Sequence, residues 1–245
     1  MKIGDYVTRK KYEHDIVFVI YDITSDGVYK LKGEDVRLLA DSYINDLLIH
    51  EKETRIEEDI LENEPINKNV VVGKVLHIDG DQRYLQKSLN LYKKHNIPVV
   101  GYYLNEEEIK NQITNFLIKH KPDILVITGH DAYKENSDVE EFKNSKNFVD
   151  AVKQARIYQP DKDALVIFAG ACQSNYEALI ESGANFASSP SRVSINVLDP
   201  VKIAIEVAKT NVRTFLDIED ILNKTTNKNK GIGGIDTRGV ARKIY

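Results

Sequence analysis

The 245 residues hold one cysteine and six histidines, so any chemistry that needs a thiol must use Cys172. Cys172 follows the apolar run LVIFAGA, and 42 residues earlier His130 follows the apolar run ILVITG. A thiol attacks a carbonyl well only as thiolate or with a base beside it, and imidazole is the side chain best matched to that task near neutral pH. The pair suits acyl transfer through a thioester, with Cys172 as nucleophile and His130 as its proton-transfer partner. Ser174 and Glu177 in SNYE form a capping-box pattern, which sets Cys172 two residues ahead of a helix N-cap, where the helix dipole favours negative charge. Main-chain N–H groups at Gly129, Asp131 and Gly170, with that of Cys172, are candidates to cradle an oxyanion, and the two glycines let a substrate backbone come close. Taken alone, a cysteine at a strand end is more often a small packing residue. The joint placement of thiol and imidazole is what favours chemistry. His14, His50, His77, His95 and His120 have no second catalytic feature beside them and read as surface or packing residues.

The elements that must carry these groups are legible in the hydrophobic pattern. From Asp5 to about Ser42 short β-branched runs alternate with turn chemistry, including Asp26-Gly27, and residues 1–49 read as a small SH3-like β-barrel. Residues 50–69, HEKETRIEEDILENEPINKN, are polar and acidic and suit a connecting helix or linker. Residues 70–245 alternate apolar runs with amphipathic stripes such as Ile109, Ile113, Phe116 and Leu117. That alternation predicts an α/β domain whose parallel sheet is sandwiched by helices, because parallel crossovers need helices and bury both faces of each strand. Asp199 as N-cap with Pro200 at the first helical position reads as the start of a further helix. Ligands bind such a sheet outside the carboxyl ends of its strands. Those ends carry Asp79, Gly80 and Asp81 after the first strand, His130 after the third, Cys172 after the fourth, and Ser188 and Ser189 after the fifth.

Composition removes several alternatives. The 34 basic and 38 acidic side chains leave a formal charge of -4, which disfavours nucleic acid or an anionic membrane as partner. The opening MKIGDYVTRKKYEHD has no secretory core and no later run approaches a membrane span, so the reading is a soluble, intracellular protein. One cysteine builds neither an internal disulfide nor a cysteine-rich zinc site, no histidines stand at metal spacing, and no strand is followed by a phosphate-binding glycine loop. No metal and no cofactor are expected. Two rivals remain: a non-catalytic flavodoxin- or receiver-like module whose strand-end acids bind a ligand, and an amidase or transpeptidase using the same dyad.

The pattern of an apolar strand ending at histidine and the next ending in Ala171-Cys172 resembles the caspase-like (clan CD) cysteine peptidases. IGDYVTRKKYEHDIVF, VITGHDAY, FAGACQSN and ANFASSPSRV more closely resemble the YabG family of sporulation-specific peptidases, over nearly the whole chain. The resemblance implies a caspase-like fold and a cysteine endopeptidase of the mother-cell cytoplasm. Its protein substrates would be spore coat and related spore proteins, cut after basic residues. In caspase-like enzymes the loop after the first core strand helps form the pocket for the residue before the scissile bond, and an acid there suits arginine. Asp79 and Asp81 occupy that loop, where an ordinary Asp-Gly turn is the competing reading; Ser188, Ser189 and Asp199 are further candidates to line the pocket. One departure stands out: caspase-like enzymes place glycine after the catalytic histidine as an oxyanion donor, whereas here Asp131 follows and Gly129 precedes.

Overall fold

The structure, a computed structural model, describes residues 1–51, 69–134 and 141–245. Most of the expected linker at 50–69 therefore lies outside the described residues. The chain divides into two units, Met1–Ile60 and Leu61–Tyr245.

The first unit is an antiparallel sheet of β1 (Tyr6–Arg9), β2 (Val17–Ile23), β3 (Tyr29–Gly33), β4 (Leu39–Ser42) and β5 (Leu47–Ile49), in the order β4-β3-β2-β1-β5. Gly27 takes φ +81°, and the Thr24 N–H donates to the Val28 carbonyl, so the Asp26-Gly27 signal closes the β2–β3 hairpin. Val7, Phe18, Ile20, Leu31 and Leu47 form its core. Between β4 and β5 a single 3-10 turn (Ile44–Asp46) brings Asp46 to Arg9 Nε at 2.7 Å and Ser42 Oγ at 2.7 Å. Those two bonds hold the Asp46 carboxyl down at about 2.

In the second unit the alternation of strand and helix is realised as β6 (Val70–Val71), β7 (Val75–Asp79), α1 (Gln82–Lys94), β8 (Val99–Tyr103), α2 (Glu106–His120) and β9 (Ile124–Thr128). A two-stranded ladder, β10 (Tyr133–Lys134) with β11 (Glu141–Phe142), precedes α3 (Ser145–Tyr158), β12 (Val166–Ala169), α4 (Tyr176–Glu181) and β13 (Phe186–Ser188). The chain ends with α5 (Asp199–Lys209), α6 (Ile218–Asn223), α7 (Lys228–Gly231), β14 (Ile232–Gly234) and β15 (Arg242–Lys243). The main sheet runs β14-β13-β12-β9-β7-β8; its first five strands in chain order are mutually parallel and β14 is antiparallel to β13.

Period-2 alternation sorts each strand onto two helical layers. Val75, Ile124, Val126, Val166 and Phe168 pack with Tyr84 and Tyr92 of α1 and Val201, Ala204 and Ala208 of α5. Leu76, Ile78, Leu125, Ile127 and Ile167 face Ile109, Ile113 and Leu117 of α2 and Phe148, Val152 and Ala155 of α3. Each fully buried aliphatic or Phe side chain contributes roughly 1.5–3 kcal/mol, so this double core fixes the strand tips firmly.

Two helix starts differ from expectation. Asn175, not Ser174, caps α4 by accepting from the Ala178 N–H, so Cys172 lies three residues before the cap. Asp199 is the first residue of α5 rather than its cap, because its carboxylate is drawn instead to Lys202 Nζ at 3.2 Å and the Thr226 N–H at 3.0 Å. The C-terminal segment, which carries no strong strand signal, pairs Arg242 with Val71 and Lys243 with Val70.

Candidate active site

β9 and β12 lie side by side, with Ala169 opposite Ile127 and the Gly170 N–H donating to the Ile127 carbonyl at 3.0 Å. The ladder ends there, and His130 and Cys172 each follow three residues beyond that last pair, where the two chains leave the sheet.

His130 leans toward the neighbouring tip of β7. Its Nε2 lies 2.9 Å from Asp81 Oδ2, while Asp81 Oδ1 caps α1 by accepting from the Arg83 and Tyr84 N–H groups at 2.9 and 3.2 Å. Asp81 is buried, and the imidazole packs against the Tyr84 ring with centroids 5.5 Å apart. A nitrogen facing a carboxylate carries a proton, so in the neutral ring the lone pair lies on Nδ1. That Nδ1 is buried and has no hydrogen-bond partner among the described residues.

A carboxylate from the next helix secures the same loop. Glu106 Oε1 accepts the His130 N–H at 2.7 Å, and Asn144 Nδ2 donates to the His130 carbonyl at 2.7 Å. The Glu106 carboxyl lies so close over β7 and β9 that a Cβ on either Gly80 or Gly129 would collide with it. Neither glycine has a positive φ. The contact in each case is the carboxyl end of the Glu106 side chain.

Cys172 leans the other way, toward the segment after β13. Its sulfur accepts the Ile195 N–H at 3.2 Å, and the residue is only 2% exposed. The turn that presents it is tight: Gly170 takes φ +111° and Gln173 takes φ +58°, a left-handed conformation that is uncommon outside glycine. Ser189 stabilises this turn, accepting the Gln173 N–H at 3.1 Å and donating to the Val193 carbonyl at 2.7 Å.

Asp131 joins the two loops. Its Oδ2 accepts from Ser174 Oγ at 2.9 Å and Ser145 Oγ at 2.5 Å, and its Oδ1 from the Ala132 and Asn144 N–H groups at 2.9 and 2.7 Å. Ser174 Oγ in turn accepts the Ala171 N–H at 2.9 Å. A second stitch runs from the Tyr133 N–H to Gln173 Oε1 at 3.3 Å. Of the main-chain donors named from sequence, the Gly170 N–H is bonded within the sheet, whereas the Asp131 N–H has no acceptor among the described residues.

The other sequence candidates are more deeply engaged. Asp79 is fully buried and accepts the Asp81 N–H and Thr128 Oγ1, each at 2.9 Å. Ser188 is fully buried with its hydroxyl unpartnered among the described residues, next to Gly170. Asp199, the first residue of α5, is buried against Lys202, and burial raises its carboxyl pKa. The sequence reading missed Asp81 as the partner of the imidazole and Glu106 altogether. Asp81 was recognisable as an acid at a strand exit and a helix start, but 49 residues separate it from His130. Among the described residues no group of three His, Cys, Asp or Glu side chains is arranged to hold a metal ion, and no helix is long and apolar enough to cross a membrane.

No solved structure matches the chain. Family comparison supplies the class, a peptidase: residues 2–72 and 62–245 match the family described as YabG peptidase U57, and the chain belongs to that family. Among curated proteins it is 41% identical over 279 residues to the sporulation-specific protease YabG of Bacillus subtilis (strain 168), covering 98% of this chain and 96% of that one. Membership of a peptidase family sets aside the non-catalytic module considered from the sequence.

Proposed function

We propose that the chain is a cysteine endopeptidase of sporulation, in which His130 Nδ1 takes the Cys172 proton and Asp81 holds the imidazole in the required tautomer. The observation that carries this reading is the buried His130 Nδ1, left without a partner while Nε2 is fixed on Asp81. In the reaction the Cys172 sulfur attacks the peptide carbonyl, the C–N bond breaks as His130 protonates the leaving amine, and water then cleaves the thioester. The Asp131 N–H is the main-chain donor for the oxyanion, in the place where a caspase-like enzyme uses glycine. Parallel strands in the order second, first, third, fourth, fifth, with base and thiol after the third and fourth, support a caspase-like core. The strand order β4-β3-β2-β1-β5 with a 3-10 turn before β5 supports an SH3-like first unit.

Specificity for a basic residue before the scissile bond is proposed on the family resemblance, since Asp79 is fully buried, Asp81 is engaged by His130 and Glu106 holds the His130 N–H. The relative's name, a sporulation-specific protease, supports substrates among proteins of sporulation; spore coat and related spore proteins in the mother cell are the substrates the family resemblance implies. Because Cys172 is only 2% exposed, the segment around Ile195 has to shift for a peptide to reach it. The test is alkylation and proteolysis with the full chain. Iodoacetamide should modify native Cys172 faster than the same thiol in urea, and Cys172→Ala and His130→Ala should each abolish cleavage of arginine-containing peptides while the fold survives. A native thiol slower than the unfolded one, with activity retained in Cys172→Ala, would sink the reading.

A further inference from the structure

Behind the Asp81–His130 pair lies a line of buried polar groups that the mechanism above does not use. In β7 the alternation VLHID sends Val75, His77 and Asp79 to one face, and in β9 Ile124, Val126 and Thr128 lie opposite them in register. Both strands thus begin apolar on this face and turn polar toward the tips that carry the site. His77, Asp79, Thr128 and Tyr92 of α1 are all 0% exposed.

Their contacts form one continuous line. Tyr92 Oη lies 3.3 Å from His77 Nδ1, His77 Nε2 lies 2.9 Å from Thr128 Oγ1, and Thr128 Oγ1 donates to Asp79 Oδ2 at 2.9 Å. Asp79 Oδ1 accepts the Asp81 N–H at 2.9 Å, and Asp81 Oδ2 meets His130 Nε2 at 2.9 Å. A single direction of donation satisfies every link. As a carboxylate Asp79 only accepts, so the Thr128 hydroxyl gives it a proton and receives one from His77 Nε2–H, which leaves His77 Nδ1 to accept from Tyr92. Aliphatic side chains would fill this face without the desolvation penalty that each of these groups incurs. The line ends on the main chain of Asp81, the residue that aims the base.

We propose that His77, Thr128 and Asp79 are positioning residues for the base: they fix the Asp81 main chain, and through it the tautomer and direction of the His130 ring. The inference rests on reading Cys172 and His130 as the reacting pair. Fixing the aim matters because a misplacement of about 1 Å at a reacting group can cost on the order of 100-fold in rate.

Thr128→Val cuts the line with almost no change of volume, and Thr128→Ser keeps the hydroxyl. Two measurements on the full chain decide the matter. Long-range nitrogen–proton NMR of the His130 ring should show a proton on Nε2 only in the parent and in Thr128→Ser, and a mixture of tautomers in Thr128→Val. Alkylation of Cys172 by iodoacetamide should slow roughly tenfold in Thr128→Val and return in Thr128→Ser, as expected for a small displacement of the base. A Thr128→Val protein with the parental tautomer and alkylation rate overturns the proposal. Should Thr128→Val fail to fold, Tyr92→Phe, which removes one hydroxyl from the far end, is read the same way, with changes in the same direction expected. A parental Cys172 no more reactive than an unfolded thiol defeats the Cys172–His130 reading instead, and the ring tautomers then still decide whether the line fixes His130.

Discussion

The two sides of the candidate site are held by different means. On the imidazole side every restraint is a side chain: Asp81 on Nε2, Glu106 on the main-chain N–H, Asn144 on the carbonyl and Tyr84 against the ring. On the thiol side main-chain restraints enter as well: an N–H at Ile195 and positive-φ turns at Gly170 and Gln173, alongside two serine side-chain hydroxyls bonded to backbone amides. His130 therefore depends on chemical groups that single substitutions can delete, whereas Cys172 depends in larger part on chain conformation. Asp131 is the exception that ties the two, since its carboxylate belongs to the imidazole loop and grips Ser174 of the thiol loop.

Substitutions can break this contrast in order of severity. Asp81→Asn should be the most damaging to activity, with kcat falling on the order of 10³- to 10⁴-fold through the wrong imidazole tautomer. Its thermal unfolding should scarcely move, because asparagine caps a helix about as well as aspartate. Equal loss of stability and activity would show that Asp81 serves only the fold. Next comes Gly129→Ala, whose Cβ meets the Glu106 carboxyl. About 100-fold lower kcat/KM is expected as the His130 loop shifts, and adding Glu106→Ala should worsen matters less than the two single effects combined, because the collision is gone. On the thiol side Ser174→Ala strands the Ala171 N–H and should cost about 1–3 kcal/mol in urea unfolding, with a smaller effect on turnover than either change on the imidazole side.

The mildest effect belongs to the first unit. Asp46 has its carboxyl depressed to about 2 from 3.8 by Arg9 and Ser42, so its contribution is complete above pH 4 and fades as the pH falls toward 2. Asp46→Asn should flatten that acid limb in a circular-dichroism titration and leave peptide cleavage at neutral pH unchanged.

The architecture was largely legible because burial of both sheet faces imposes a pattern on each strand: ILVIT and VIFA can only be interior strands, and the stripe at Ile109, Ile113 and Leu117 can only be a helix on top of them. The strand-tip placement of Cys172 and His130 followed from the same pattern. What surrounds them did not, since hydrogen-bond partners come from register and crossover geometry. His77 reads as an ordinary packing histidine until β9 is set beside β7 and Thr128 comes within 2.9 Å. Ser174 imitates a helix cap in sequence, yet its hydroxyl is drawn to Asp131, a partner 43 residues away. The alternation in VLHID did carry a usable signal, because it puts His77 and Asp79 on one face of a buried strand, where polar groups need partners.

Glu106 reaches across two strand exits at once, and both exits keep glycine to admit it. That geometry binds three distant positions into a single hereditary unit. Lineages in which Glu106 has become a short or neutral residue should be free to carry alanine or serine at 80 and 129, and lineages that keep the acid should keep both glycines.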